Sequence, residues 1–218
     1  VTYGILIHGL CEMGNVDGAS RVYSEMIKTG FGLDVVMSNS LLDGFCKAGR
    51  IEDSLELWEA MGRDGVRNTI SYNILIKGLF RNGKVDEALS VWVILGKDNT
   101  CCPDSVTYGV LIHGLCENGF ITKALQVLKE SQKNGENNLD VFAYSSMING
   151  LCKNRRLDEA MKIYEQMAKF GCMPNSHVYN TLMSGFCRKS KYTDAIRFFN
   201  EMARNGCSPT VVTYNILI

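Results

Sequence analysis

Cysteine is the residue type in this sequence that most invites a chemical reading. There are nine, enough for a metal site, disulfides or a nucleophile. A structural zinc site brings its ligands in closely spaced pairs. Cys11, Cys46, Cys116, Cys152 and Cys187 instead stand tens of residues apart, each on an apolar helical stripe, as small buried hydrophobes do. Cys172 and Cys207 are again far apart, which leaves adjacent Cys101-Cys102 as the reactive candidates. Such usage suits a reducing compartment, and no metal or cofactor is expected. Gly78 to Lys84 reads G-x-x-x-x-G-K, but Val85 stands where a phosphate loop needs Ser or Thr, and no strand pattern precedes it. His8 and His113 occupy a position filled elsewhere by Asp43, Lys77, Asn149 and Ser184, so they read as a variable exposed site. No nucleophile-base pair is visible, and the expected activity is binding without catalysis.

The elements that must position any site follow from a periodicity. Tyr3, Ser38, Tyr72, Tyr108, Tyr144, Tyr179 and Tyr214 share one slot at intervals of 35, 34, 36, 36, 35 and 35 residues. A second landmark runs Gly9-Leu10-Cys11, Gly44-Phe45-Cys46, Gly78-Leu79-Phe80, Gly114-Leu115-Cys116, Gly150-Leu151-Cys152 and Gly185-Phe186-Cys187. A third is a small residue at Ala19, Ser54, Ala88, Ala124, Ala160 and Ala195. Tyr3, Leu6, Ile7, Leu10 and Cys11 have the i, i+3, i+4, i+7, i+8 spacing of one helical face, and Val16, Ala19, Val22, Tyr23 and Met26 repeat it after Gly14-Asn15. Gly30, Gly65, Gly135, Gly171 and Gly206 follow the second helix, where glycine accepts a left-handed cap. Each unit is therefore two antiparallel helices, and only stacking of neighbours buries their stripes. The expected fold is all-α, a right-handed α-α superhelical solenoid. It forms one array over 1–218 with repeats 1–34, 35–68, 69–104, 105–140, 141–175, 176–210 and a partial 211–218.

Composition is consistent with that body. At 46% hydrophobic and 21% charged the chain has material for a core, and three prolines and scattered glycines mark no linker. No apolar run approaches the roughly 18 residues that cross a bilayer, so no membrane partner is expected. Opening at Val1 and ending at Ile218 within a pattern, the chain reads as an excerpt of a longer protein. Lys+Arg 23 against Asp+Glu 23 argues against a surface built on phosphate neutralisation, although a basic stripe balanced by an acidic face would also sum to zero.

The residue identities carry a resemblance. Segments 1–30, 141–175 and 176–210, with Tyr opening the first helix, Gly-Leu-Cys later in it and Asp-Glu-Ala starting the second, resemble the pentatricopeptide-repeat (PPR) family, P-type, over the whole chain. Tetratricopeptide units, of similar length, carry a different Trp, Leu-Gly, Tyr and Pro pattern. The departures are Ser38 for Tyr, Phe80 for Cys, and one extra residue before the closing Asp of units 3 and 4.

What the resemblance implies is binding of single-stranded RNA, one base per repeat, by the residue after the opening Tyr and the repeat's closing residue. The pairs are Gly4 with Asp34, Asn39 with Asn68, Asn73 with Asp104, Gly109 with Asp140, Ser145 with Asn175, Asn180 with Thr210, and Asn215 opening a seventh. Asn, Ser and Asp can donate to or accept from base edges; the alternative is that the closing Asp and Asn only cap the next helix. Gly4 and Gly109 have no side chain, so their repeats should discriminate poorly. Val1, Val36, Ile70, Val106, Phe142, His177 and Val212, two before the Tyr slot, would sandwich the bases. Lys47, Arg81, Lys153 and Arg188, after the Gly-Leu-Cys landmark, would meet phosphates, while Glu12 and Glu117 take that slot in units 1 and 4. Units 1 and 4 also share Tyr-Gly-x-Leu-Ile-His-Gly-Leu-Cys-Glu, which suggests a duplicated three-repeat block. The family's pairing implies a preference for 5′-N-C-U-N-A-Y-3′ and work on RNA processing, stability or translation in a plant mitochondrion or chloroplast. The alternative is a tetratricopeptide-like protein-interaction scaffold, and the last helix, exposing Tyr214, Leu217 and Ile218, would pair with a second copy as a homodimer.

Overall fold

The computed structural model describes residues 2–30, 32, 34–132 and 139–218. The sandwiching position Val1 and the expected cap Gly135 lie outside the described residues. The chain divides into two compact units, 1–107 and 108–218. The first holds α1 (Thr2–Glu12), α2 (Val16–Lys28), α3 (Val35–Ala48), α4 (Ile51–Arg63), α5 (Thr69–Arg81), α6 (Val85–Leu95) and the start of α7 (Ser105–Glu117). The second holds the rest of α7, α8 (Ile121–Ser131), α9 (Val141–Lys153), α10 (Leu157–Lys169), α11 (Ser176–Arg188), α12 (Tyr192–Arg204) and α13 (Val211–Leu217). Every element among the described residues is a helix, and none is long and apolar enough to cross a membrane.

In unit one α1 packs on α2 and on α3, and α3 in turn on α4 and α5. In unit two α9 packs on α10 and α11, and α11 on α12 and α13. Within each unit, then, the first helices of successive repeats pack on one another, and each second helix packs on the first helix of its own repeat. Within a hairpin, a residue in left-handed conformation turns the chain between the helices: Gly14, Gly49, Gly83 and Gly119 at φ 72 to 84°, but Arg155 at 58° and Ser190 at 56° in the last two repeats. A side chain in that conformation costs about 1 kcal/mol or more that glycine does not.

The landmarks have packing causes. Each small residue of the second helix, from Ala19 to Ala195, is fully buried, and Ser54 satisfies its hydroxyl on the Ile51 carbonyl at 2.7 Å. The glycine of Gly-Leu-Cys is where one repeat's first helix meets the previous repeat's cysteine. A Cβ at Gly44 would lie 2.8 Å from Cys11 Sγ and one at Gly150 2.8 Å from Cys116 Sγ, while one at Gly78 would overlap Cys46 Sγ. Glycine and cysteine therefore form one contact across repeats. Burial pushes the Cys46 and Cys152 thiols up to about 11 and Cys116 to about 12, which keeps them neutral and inert. Of the loop pair, Cys101 is buried and only Cys102 is exposed.

The slot tyrosines Tyr72, Tyr144 and Tyr179 are buried, so each hydroxyl needs a partner. Tyr72 donates to Asp98 at 2.7 Å, while Tyr144 and Tyr179 accept from Gln132 at 3.1 Å and Asn205 at 2.6 Å. Where Ser38 replaces tyrosine, the Tyr23 hydroxyl reaches it at 2.8 Å and fills the space from the preceding helix. One expected stripe is incomplete. Leu6 is 48% exposed, whereas its equivalents Leu41, Leu75, Met147 and Leu182 are buried. The difference is that, among the described residues, α1 packs mainly on α2 and α3, while α3, α5, α9 and α11 each meet more of their neighbours. At the other end Tyr214 packs edge-on against Phe199, ring centroids 5.9 Å apart, and Ile218 stays exposed.

Candidate nucleic-acid interface

The closing residue of a repeat is also the residue that starts the next first helix. Asp34, Asn68, Asp140 and Asn175 adopt extended backbone there and accept from amides of the first turn, for example Asp34 from Val36 and Met37 at 2.9 Å. Both roles proposed for these residues are compatible, since a capping carboxylate or amide keeps lone pairs and donors that the cap does not use.

Three of the expected pairs are linked by hydrogen bonds. Asn39 donates to Asn68 at 3.4 Å and accepts from the Ser71 hydroxyl at 2.7 Å. Asn73 hydrogen-bonds Asp104, which also accepts from the Thr107 amide at 2.8 Å and its hydroxyl at 2.7 Å. Asn180 accepts from Thr213 at 2.8 Å, and the Thr213 hydroxyl in turn accepts from the Thr210 amide at 2.9 Å. Ser71, Thr107 and Thr213 share one slot and were missed by reading the sequence for base contacts. Their signal was the hydroxyl three residues after a capping Asn, Asp or Thr, which is capping-box spacing. Where Met37, Ala143 and Val178 take that slot, the hydroxyl is missing.

The other pairs differ. Ser145 donates back to the Phe142 carbonyl at 3.0 Å, and Asn175 accepts from Val178 N at 3.1 Å, so no hydrogen bond among the described residues joins the two. At Gly109 an added Cβ would lie 3.1 Å from Phe142 Cδ1 and 3.7 Å from Asp140 Oδ1. The Phe142 ring thus closes over the glycine, backed by His113 at 5.1 Å. At Gly4 the nearest atom to a Cβ is Met37 Cε at 3.3 Å. Asn215 is exposed.

Burial grades along the slot. Asn39 and Ser145 are 9% and 7% exposed, whereas Asn73 and Asn180 are half-buried. Asn73 Oδ1 is buried with no partner among the described residues. Burial raises the Asp104 carboxyl, but bonds from Thr107 and Asn73 outweigh it and hold the group below its usual range, so it is an ionised acceptor at neutral pH. Val36, Ile70, Val106, Phe142 and Val212 are all exposed despite being apolar, as is His177.

The cations do not behave alike. Lys47 Nζ lies 2.8 Å from Asp43 and 3.2 Å from Glu12, and Lys153 Nζ lies 2.8 Å from Glu117. Each lysine is thereby paired with the glutamate in its own slot one repeat earlier. Hydrogen bonds that it donates to Asp43 and Glu12 push the Lys47 ammonium up, and the bond that Lys153 donates pulls Glu117 down. Arg81 and Arg188 have no ion pair among the described residues and are exposed. In 108–218 the separate groups converge: a cleft of about 410 Å³ is lined by Asn180, His177, Val212, Lys153 and Arg188 together. The G-x-x-x-x-G-K segment holds no phosphate loop, since Gly78 lies inside α5 and Gly83-Lys84 in the turn to α6.

Stacked two-helix units with a polar slot repeated at every helix start place the chain in the class of α-helical repeat proteins. A profile described as the PPR repeat family matches residues 67–117, 139–188 and 174–218, and PPR repeat profiles match 1–27, 36–66 and 106–136. The chain belongs to the pentatricopeptide (PPR) repeat family. It is 32% identical over 76 residues to a mitochondrial pentatricopeptide repeat-containing protein of Arabidopsis thaliana, covering 34% of this chain and 9% of that protein. A chloroplastic relative from the same plant is 34% identical over 59 residues, 27% of this chain and 8% of the relative. Among solved structures, the maize pentatricopeptide repeat protein PPR10 superposes with a TM-score of 0.73 at 29% identity over 97% of this chain and 30% of PPR10. PPR10 in complex with an 18-nt psaJ RNA element gives 0.65 at 26% identity, over 98% of this chain and 35% of PPR10. The chain therefore spans about a tenth of those curated relatives and about a third of PPR10.

Proposed function

We propose that this array binds single-stranded RNA selectively, one base per repeat, without a catalytic step. It would serve RNA processing, stability or translation in a mitochondrion or chloroplast. The observation that carries the reading is the constellation that recurs in units 2, 3 and 6, where Asn39, Asn73 and Asn180 are linked to the cap of the next first helix beside exposed apolar residues. RNA is the ligand in the psaJ complex of the similar PPR10, and relatives are named mitochondrial and chloroplastic.

Unit 3 shows how discrimination would arise. Ionised Asp104 can only accept, so it favours uracil, whose N3–H donates, over cytosine, whose N3 accepts. In unit 2 the amide of Asn68 can donate, which suits cytosine. Gly4 and Gly109 present no polar group, and their units accept any base. The reading is 5′-N-C-U-N-A-Y-3′ along the chain, with Val36, Ile70, Val106, Phe142, His177 and Val212 sandwiching the bases.

The test is selection of bound RNAs from a random pool with the wild type and with Asp104→Asn, which gives unit 3 the pair that unit 2 carries. The third base should shift from U to C while the others hold, a discrimination of about 1 to 3 kcal/mol. Equal affinity for 5′-NCUNAY-3′ and its permutations, with no change in the variant, would refute base reading. Affinity that does not fall with salt would instead point to protein docking.

A further inference from the structure

The third residue of each first helix sorts the repeats into two kinds. It is Ser71 in α5, Thr107 in α7 and Thr213 in α13, but Met37 in α3, Ala143 in α9 and Val178 in α11. A hydroxyl stands there for every pair that opens on asparagine, namely Asn39 with Asn68, Asn73 with Asp104 and Asn180 with Thr210. It is missing for the pairs that open on Gly4, Gly109 and Ser145. Ser71, Thr107 and Thr213 are fully buried, so none of them can itself touch a base. Whatever such a hydroxyl contributes, it contributes through the two side chains beside it.

The hydrogen bonds show what that is. Ser71 Oγ accepts from the Asn68 amide at 3.2 Å and donates toward Asn39 Oδ1 at 2.7 Å and Asn68 Oδ1 at 2.9 Å. With its oxygen turned to Ser71 and one Nδ2 hydrogen on Asn68, the Asn39 carboxamide is held one way round and keeps its second Nδ2 hydrogen to donate. Thr107 Oγ1 accepts from the Asp104 amide at 3.2 Å and donates to Asp104 Oδ1 at 2.7 Å, which fixes the carboxylate that Asn73 also meets. Thr213 repeats the link, accepting from the Thr210 amide at 2.9 Å and donating to Asn180 Oδ1 at 2.8 Å. Where Val178 takes the slot, Ser145 turns back to the Phe142 carbonyl of its own helix at 3.0 Å.

We propose that Ser71 and Thr107 are positioning residues for base selection, each holding the polar pair beside it in one hydrogen-bonding pattern before RNA arrives. The inference rests on the base-reading role given above to Asn39 with Asn68 and Asn73 with Asp104. It adds that the pair alone does not set the sharpness of the choice. A side chain already held in place loses no rotamer freedom on binding. It also resists turning to suit a mismatched base, and that resistance is what separates two bases that differ in one donor or acceptor. The hydroxyl therefore contributes discrimination and little affinity.

The test compares Thr107→Val, Thr107→Ser and Asp104→Asn with the wild type. Valine keeps the size of threonine without its hydroxyl, and Val178 already fills this slot at the start of α11, so Thr107→Val folds. The ratio of affinities for RNAs carrying U or C at the third base should fall about three- to tenfold in Thr107→Val, with the other bases read as before, and Thr107→Ser should keep it. Without RNA, carboxyl titration by NMR should find Asp104 raised toward its ordinary range in Thr107→Val and unmoved in Thr107→Ser, because the hydroxyl bond is among those that outweigh burial there. Ser71→Ala, which copies Ala143 of α9, should relax the second base alone. A wild-type third-base preference in Thr107→Val, with Asp104→Asn still switching it, overturns the positioning role and leaves base reading standing. A preference indifferent to Asp104→Asn as well overturns base reading, and the positioning role with it. Equal loss in Thr107→Val and Thr107→Ser, or loss spread over all the bases, marks a packing effect and likewise overturns the role.

Discussion

Adding one methyl group at Gly78 should destabilise the protein, although the same change at Gly9, the equivalent position one end of the stack away, should stabilise it. Both glycines sit inside a first helix, where alanine is favoured over glycine by about 1 kcal/mol. At Gly9 an added Cβ meets nothing within 4 Å, so Gly9→Ala keeps that gain. At Gly78 the Cβ would overlap both Cys46 Sγ and Cys46 Cβ. The obstacle is a short side chain on α3, which cannot swing clear, so α3 and α5 must move apart. Overpacking of that kind costs about 1 to 3 kcal/mol, which offsets the helix gain and leaves Gly78→Ala about 1 to 3 kcal/mol below Gly9→Ala. Urea unfolding followed by circular dichroism reads the difference as a shift in midpoint. Cys46→Ala removes the sulfur, and in that background Gly78→Ala should cost less, a coupling on the order of 1 kcal/mol. The two alanine variants unfolding at the same urea concentration would refute the idea that glycine and cysteine are one inter-repeat contact.

Two further outcomes follow from the charges. Glu117→Gln releases Lys153 from a pair that is half exposed on both sides, so stability should change by less than about 1 kcal/mol. RNA affinity at low salt should rise and the salt slope steepen by about 0.7; an unchanged slope would mean that Lys153 meets no phosphate. Asp98 accepts from the Thr100 hydroxyl and amide and from Tyr72, which hold its carboxyl down at about 2 while the Tyr72 phenol rises to about 12. A carboxyl with a depressed folded value stabilises above its unfolded value near 4 and loses that contribution as pH falls toward 2. Melting temperature should therefore drop across that window in the wild type and drop less in Asp98→Asn, and parallel curves would show that the network contributes nothing.

The repeat, its helices and their boundaries were written in the sequence because each depends on neighbours in the chain. Apolar spacing sets the buried face of α2 or α10, glycine marks most turns, and Asp or Asn starts the next helix. A constant period carries each position to a constant place in its repeat, but that Asn39 with Asn68 and Asn73 with Asp104 form a base-reading slot was implied by the family resemblance alone. What the tertiary structure decided was every contact made between repeats. Cys46 lies against Gly78, the Ser71 and Thr107 hydroxyls enter the Asn39 and Asn73 sites, and Tyr23 reaches over to complete Ser38. Lys47 and Lys153 are half spent on the glutamates one repeat back. The physical reason is that local pattern determines which face a side chain takes, whereas partners in a neighbouring repeat are chosen by the spacing and rotation with which one hairpin stacks on the next.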